Sequence, residues 1–492
     1  MPDAFAALKR APLAILNLLL WPARACWRGR RRLLIALAVL VALHLIATLI
    51  TGLMLQRELN RLRKAGEPMT AAELLTPLQL EPETSVSPDS PNAAWVYQHA
   101  FQTLRLTKDE QQEYTDLPSP TSTETAAGEP ITPAQVAAAR LAFARKVIPK
   151  NAHYFSLLEE ASRIHDCAFT IRWDAGWNAL FPNFAPMREA GRWLSLRAEL
   201  LTSEGRVDNA LADADTTLRI AEHAKTEPTL IGQLVGYALQ SIAVRSLEST
   251  LSAGQPSPTA CRASYDQLAA IDQINPSVRA LQCERVLMGM WAYDSLRRHP
   301  IEASRNLFDI TGQSGGWRWL VLCTYTTLGR PFFNLDAATY LRHMRDQTAA
   351  FEQPWPQSFR AVNALAKELE QVPVYRGVLT HMVLPVFSRA LESRESRTAL
   401  LRAAQIALAL KVYQAEHGAY PDFLADLQDA GWKLPTDPFT QKPYHYRRDG
   451  AGFLVWSAGP DMDDDNGRDV DPKRAPARFV GEDYDLTFRC AG

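Results

Sequence analysis

Little in these 492 residues advertises a reaction. There is no GxxxxGK(S/T) phosphate loop, no HExxH zinc helix and no glycine-rich dinucleotide fingerprint, so three common signatures of enzymatic chemistry are missing. Cysteine is scarce, and no pair of the six has CxxC spacing. Cys26 precedes a long hydrophobic run, while Cys167, Cys261, Cys283, Cys323 and Cys490 follow it. An odd number on one side argues against a disulfide framework or zinc cluster and for packing inside helices, although a single disulfide stays open. Excess charge is lacking too: 53 basic residues face 54 acidic ones, which excludes a chain-wide nucleic-acid footprint.

What is present begins with Leu33 to Leu55, LLIALAVLVALHLIATLITGLML, which no charged side chain interrupts. It is long enough to cross a hydrocarbon core of ~30 Å as a helix. His44 near its middle reads as a neutral passenger, since a single span offers it no partner. Lys9, Arg10, Arg24, Arg28 and Arg30 to Arg32 precede the run and outnumber the basic residues just after it, which places the N-terminus in the cytoplasm. The run is too long for a cleaved signal and leads into Gln56-Arg57-Glu58, so it reads as an uncleaved signal anchor in the inner membrane. Upstream, Ala11 to Trp21 predicts a short helix lying along the inner leaflet.

Composition divides the chain into a cytoplasmic basic and interfacial segment (1–32), the transmembrane helix (33–55), a linker with short helices (56–131), an all-α domain (132–390) and a small C-terminal α+β domain (391–492). The fold class expected is therefore mainly α. The linker is richest in Pro, Thr, Ser and Glu at PSPTSTETAAGEP, and holds one amphipathic helix from Ala94 to Leu106. Within the α domain, breaks fall at Pro182, Gly254 to Pro258, Pro276, Pro300, Pro354 to Pro356 and Pro373. Gly191 to Ala224 is similar to one tetratricopeptide hairpin, with Trp193, Gly205 and Ala210 near its packing, turn and crossing positions, but one hairpin is not an array.

Two aromatic clusters, Trp173/Trp177/Phe181/Phe184 and Trp317/Trp319 beside Gly315 and Gly316, are read first as core and second as a ligand groove. His153, His165, His223, His343 and His381 are scattered. Only His223 has a carboxylate four residues on, Glu227, and Arg342 to Asp346 is the other place where an acid/base pair could hide.

From Ser393 to His417 the stripe Ala399, Ala403, Ile406, Leu410, Tyr413 predicts a long helix stopped at Gly418. A short helix at Leu424 to Leu427 follows, then strands at Tyr444 to Arg448, Phe453 to Ser457 and Tyr484 to Arg489, with a turn at Asp449-Gly450. Gly418-Ala419-Tyr420-Pro421, the run Leu434-Pro435-Thr436-Asp437-Pro438-Phe439, Pro443-Tyr444-His445-Tyr446 and Ser457-Ala458-Gly459-Pro460-Asp461 stand in that order. This succession resembles the globular domain of type II secretion major pseudopilins, over Ser393 to Arg489 or about a fifth of the chain.

The resemblance implies a structural calcium ion in the acidic loop, with Asp461 the best matched carboxylate. The residues themselves point the same way. Asp461, Asp463, Asp464 and Asp465 crowd four carboxylates into five positions, and hard oxygen ligands at that density suit Ca²⁺ rather than Zn²⁺. Asp485 is the further acidic candidate before the last strand, with Asp483, Asn466 and the backbone at Ser457 as alternatives. The loop is not an EF-hand, because Asn466 stands where glycine belongs and Pro472 where glutamate belongs. A solvated acidic loop is the competing reading.

The expected function is thus a non-enzymatic, membrane-anchored periplasmic interaction or scaffold protein, its partners being the inner membrane and envelope or secretion proteins and not nucleic acid. Two alternatives remain: a hydrolase with its site near Trp173 to Trp193, or a helical-repeat peptide receptor.

Overall fold

The computed structural model describes residues 11–80, 91–120, 122–124, 128–272, 276–310, 318–373, 376–384, 387–468 and 484–491. The chain is mainly helical with one three-stranded sheet. It divides into two compact units, each assembled from separated stretches.

The first unit comprises Met1–Lys64, Tyr293–Arg342 and Val372–Val383. Its first helix runs unbroken from Ala11 to Lys64, where the sequence predicts a separate inner-leaflet helix ahead of the span. The arginine-rich stretch between the two has good helix propensity, and Pro22 does not interrupt the run. Arg61, Arg63 and Lys64 close the helix, basic residues at its negative dipole end. Residues 30–64 form one helix long and apolar enough to cross a membrane.

Asp336 holds the later stretches of this unit together. It is fully buried and accepts hydrogen bonds from the hydroxyls of Tyr293 (2.9 Å), Tyr325 (3.1 Å) and Thr380 (2.5 Å) and from the backbone N–H groups of Leu379 (2.8 Å) and Thr380 (3.0 Å). A buried carboxylate survives only when so many donors replace its lost water.

The second unit comprises Ala65–Ala292, His343–Gln371 and Leu384–Gly492. Its first core gathers Tyr97, Phe143, Phe155, Leu158, Trp193 and Leu239. The segment read as a linker belongs to that core: Leu74, Leu75, Ala93, Ala94 and Ala100 are all buried in it. The helix Ala93–Thr103, started by the Asn92 side chain, packs on Ala152–Arg163, while the described residues near Glu124 and Pro130 keep a loop character.

The hairpin read at Gly191 to Ala224 is present as Phe184–Ser203 and Val207–Thr226. Gly205 makes its turn at φ +74°, and Trp193 and Ala210 are buried. Leu230–Ala253 packs against both helices. Gly191 sits where these three cross, its missing Cβ leaving room for Leu239 and Thr217.

The C-terminal helix spans Phe387–His417 and ends at Gly418, φ +79°. It carries more than one apolar stripe. Every residue from Ala403 to Val412 is buried, because the helices Leu230–Ala253 and Pro258–Asp272 flank it as well as the sheet. Residues of 391–492 therefore share one core with Leu211, Leu218, Leu247, Tyr265 and Leu268 of the helical segment.

The sheet is antiparallel in the order β1 (His445–Asp449), β2 (Gly452–Ser457), β3 (Leu486–Cys490), with β2 buried throughout. The five described cysteines Cys167, Cys261, Cys283, Cys323 and Cys490 are free, and all but Cys323 are buried.

Asp437 links the run Leu434 to Phe439 with the run Ser457 to Asp461. Its buried carboxylate accepts from Phe439 N–H (2.9 Å), Thr440 Oγ1 (3.1 Å), Ser457 Oγ (2.9 Å) and Ala458 N–H (3.3 Å), pinning the turn after residue 434 to the end of β2. Asp437→Ala leaves these donors without an acceptor in a dry site. It should cost about 3 kcal/mol or more, read as a lowered denaturation midpoint of the full chain. An unchanged midpoint refutes the pinning role.

Candidate functional site

The acidic loop leaves β2 through Gly459 at φ +71° and turns again at Met462 and Asn466, two side-chain-bearing residues with positive φ. Gly467 returns the chain against Leu454 and Trp456 so closely that a Cβ would lie 2.5 Å from the Leu454 side chain. The tight path fixes where each carboxylate can reach.

The five acidic candidates separate into two groups. Asp464 is already engaged: it accepts from Trp456 Nε1 (2.9 Å) and Asn466 N–H (3.0 Å) and stands 3.2 Å from His445 Nδ1. Burial would raise its pKa, but these partners together hold its carboxyl below the ordinary value. Asp463 is exposed and accepts from Asp464 N–H (3.0 Å).

Asp461, Asp465 and Asp485 form the other group. Asp461 Oδ1 accepts from Asp463 N–H (3.2 Å), and burial lifts its pKa, with Asp465 and Asp463 adding repulsion. Asp485 is fully buried; Oδ2 accepts from Gly467 N–H (2.7 Å). Burial pushes its carboxyl up to about 6, and Asp464 and Asp465 contribute.

Oδ1 of Asp485 and Oδ2 of Asp465 are buried without a hydrogen-bond partner among the described residues. Among the described residues, no three acidic, histidine or cysteine side chains stand ready around a common metal position. The side-chain donors of this group are all hard oxygens, a chemistry that suits calcium and not zinc. Of the alternatives, Ser457 turns its hydroxyl to Asp437, Asn466 gives its carbonyl to Arg447 (2.9 Å), and Asp483 lies outside the described residues.

The aromatic stretch Trp173 to Trp193 is packing. Trp173 lies in the first core, Phe181 stacks on Phe184 with centroids 5.3 Å apart, and Trp193 stacks on Tyr114 at 4.4 Å. Gly176, φ +55°, lies directly against the Trp291 ring. No side chain of Trp177, Trp317 or Trp319 is described.

Gly312-Gln313-Ser314-Gly315-Gly316 also spells GxSxG, but it lies outside the described residues. The helices Pro300–Ile310 and Arg318–Thr327 flank it, whereas a nucleophile elbow needs a strand before it.

Among the described residues the histidines form no metal-holding group of three, although His153 meets His99 edge to face with ring centroids 6.2 Å apart. His165 pairs with Asp166, His223 Nδ1 meets the Tyr97 hydroxyl at 2.9 Å, and His381 Nε2 lies 3.1 Å from Val372 O. His343 is buried, and Arg345 pairs with Asp346 at 2.8 Å.

Sequence reading missed a groove of about 820 Å³ between the helices Lys108–Asp116, Phe184–Ser203 and Leu230–Ala253. Arg140, Arg188, Arg192 and Arg245 line it around an apolar floor that includes Leu196 and Ile242. Arg140 is committed to Glu199 and Arg192 to Glu189, while Arg188 and Arg245 have no carboxylate partner among the described residues. Arginines far apart in sequence gave no local signal.

Buried ionisable groups outside the loop set the pH response. Glu227 accepts from Phe169 N–H (3.3 Å), and burial raises its carboxyl from 4.5 to about 7. The folded chain therefore holds this proton more tightly than an unfolded one, and stability present below 4.5 is lost as pH rises through about 7. His223 runs the other way: burial lowers it from 6.5 to about 4, so its contribution is lost as pH falls through that window. In Glu227→Gln the decline in thermal midpoint from pH 4.5 to about 7 should be shallower than in the parent, the His223 contribution being common to both. Parallel curves refute the assignment. Comparison with protein-family models, curated proteins and solved structures finds no match for this chain.

Proposed function

We propose that this chain is a membrane-anchored periplasmic interaction or scaffold protein. Its acidic loop would take a structural calcium ion, and its setting would be type II secretion or envelope assembly. Support for anchoring comes from the apolar helix and the basic excess ahead of it. The observation that carries the metal is the pair of buried, partnerless oxygens on Asp465 and Asp485, beside the Asp461 carboxylate.

Calcium bound there would neutralise the mutual repulsion of these carboxylates. Asp437 and Gly467 hold the two ends of the loop's described part in place, and calcium would have to draw Asp461, Asp465 and Asp485 together around it.

The test uses the full chain in detergent or nanodiscs, because the C-terminal segment shares its core with the helices. Calcium at roughly a hundredfold excess over Kd should add about 2.7 kcal/mol of stability relative to chelator. Asp461→Ala and Asp485→Ala should each lose that response. A parent midpoint indifferent to calcium, or variants that keep the full response, overturns the metal reading.

The groove of arginines favours a second reading, the peptide receptor. Arg188 and Arg245, which have no carboxylate partner among the described residues, lie in a groove with apolar residues and suit an extended acidic peptide. A fluorescent poly-Glu probe should bind the full chain in a salt-sensitive way, and Arg188→Glu with Arg245→Glu should abolish it. Binding that survives the double change removes this reading.

A further inference from the structure

The helix Ala11–Lys64 is exposed along most of the described part of its apolar run, yet one side is covered. The covered line passes from His44 through Thr48, Thr51 and Leu55 to Leu62, the i, i+3, i+4, i+7 spacing of a single helix face. Thr51 and Leu62 are buried outright. One partner on this face is Asn334, whose Nδ2 lies 3.4 Å from both Thr48 O and Thr51 Oγ1 and against Gly52.

The depth of that contact matters. A hydrocarbon core of ~30 Å takes about 20 residues of helix, which, counted from Leu33, ends near Gly52. Asn334 therefore meets the span at the outer edge of the hydrocarbon.

The unit that holds Asn334 exposes an unusual set of side chains. Leu328 is 75% exposed, and Phe332, Leu320, Ile301 and Met382, all in the same compact unit, are exposed as well. Arg330, its guanidinium 5.5 Å from the Phe333 ring, lies close enough to Arg297 for the two charges to disfavour each other. Exposed apolar side chains together with the Arg297 and Arg330 pair, in the unit whose Asn334 touches the span near its outer end, match the make-up of an interfacial segment.

We propose that the surface of Tyr293–Arg342 around Leu328 and Phe332 lies in the outer leaflet of the membrane that the span crosses. Its apolar side chains would enter the acyl boundary and its arginines would reach the phosphates. The protein then grips the bilayer at two places, by the span and by this non-spanning surface. The proposal rests on the reading of residues 33–55 as a span.

The test places single cysteines in the full chain, on a background with Cys26 and Cys323 replaced by serine, the other four cysteines being buried. Leu328→Cys, Phe332→Cys, Leu40→Cys and, on the second unit, the 78% exposed Leu180→Cys each carry an environment-sensitive fluorophore in nanodiscs. Lipids bearing a nitroxide near the headgroup should quench positions 328 and 332 several-fold more than 180.

Equal quenching at 328, 332 and 180 overturns the proposal. Shielding at 328 that depends on protein concentration and ignores the nitroxide lipid also overturns it, and assigns the surface to a second copy of the chain. Loss of lipid quenching at position 40 would instead remove the span itself.

Discussion

The second unit depends on a helix with no dry side to spare. From Ala403 to Val412 the helix Phe387–His417 is closed on all faces, by the helices Leu230–Ala253 and Pro258–Asp272 and by the sheet. A helix that is apolar all round has to be surrounded, whatever the order of the chain. Burying each of its large aliphatic side chains is worth about 1.5–3 kcal/mol, which is ample reason for sheet and helices to share one core. Even its polar members are accommodated, Lys411 reaching the carbonyl of Gly254.

Around that helix, buried carboxylates act as local staples. Asp437 ties a proline-rich turn to the end of β2, and in the first unit Asp336 ties the stretches Tyr293–Arg342 and Val372–Val383 together. Each is satisfied by several donors. The acidic loop contrasts with them: among the described residues, Asp465 and Asp485 keep buried oxygens without a hydrogen-bond partner. An orphaned acceptor is costly in a settled core, and that cost is the ground on which a ligand is proposed for the loop and not for the staples.

Much of the architecture was legible in the residues. Breaks at proline and glycine, the hairpin around Gly205, the helix stop at Gly418 and the three strands all follow from local chemistry. What failed to show depends on distant partners. The segment before residue 131 looked like a linker because its Pro- and Thr-rich parts dominate the composition. Its helix Ala93–Thr103 nevertheless buries Tyr97 and Ala100 against residues far along the chain. In the acidic loop, sequence gave the crowding of carboxylates but could not tell Asp464, occupied by Trp456 and His445, from Asp465.

The first unit is interrupted in the chain: its long helix ends at Lys64 and its next residue is Tyr293. Synthesis proceeds at about 5–20 residues per second, so the helix leaves the ribosome well before Asn334 or Asp336 exists. During that interval Thr51 and Gly52 lack the side chain that later covers them, and the whole of Ala65–Ala292 is made in between. The order of synthesis is thereby set by connectivity: the long apolar helix comes first, the intervening residues next, and the first unit closes late.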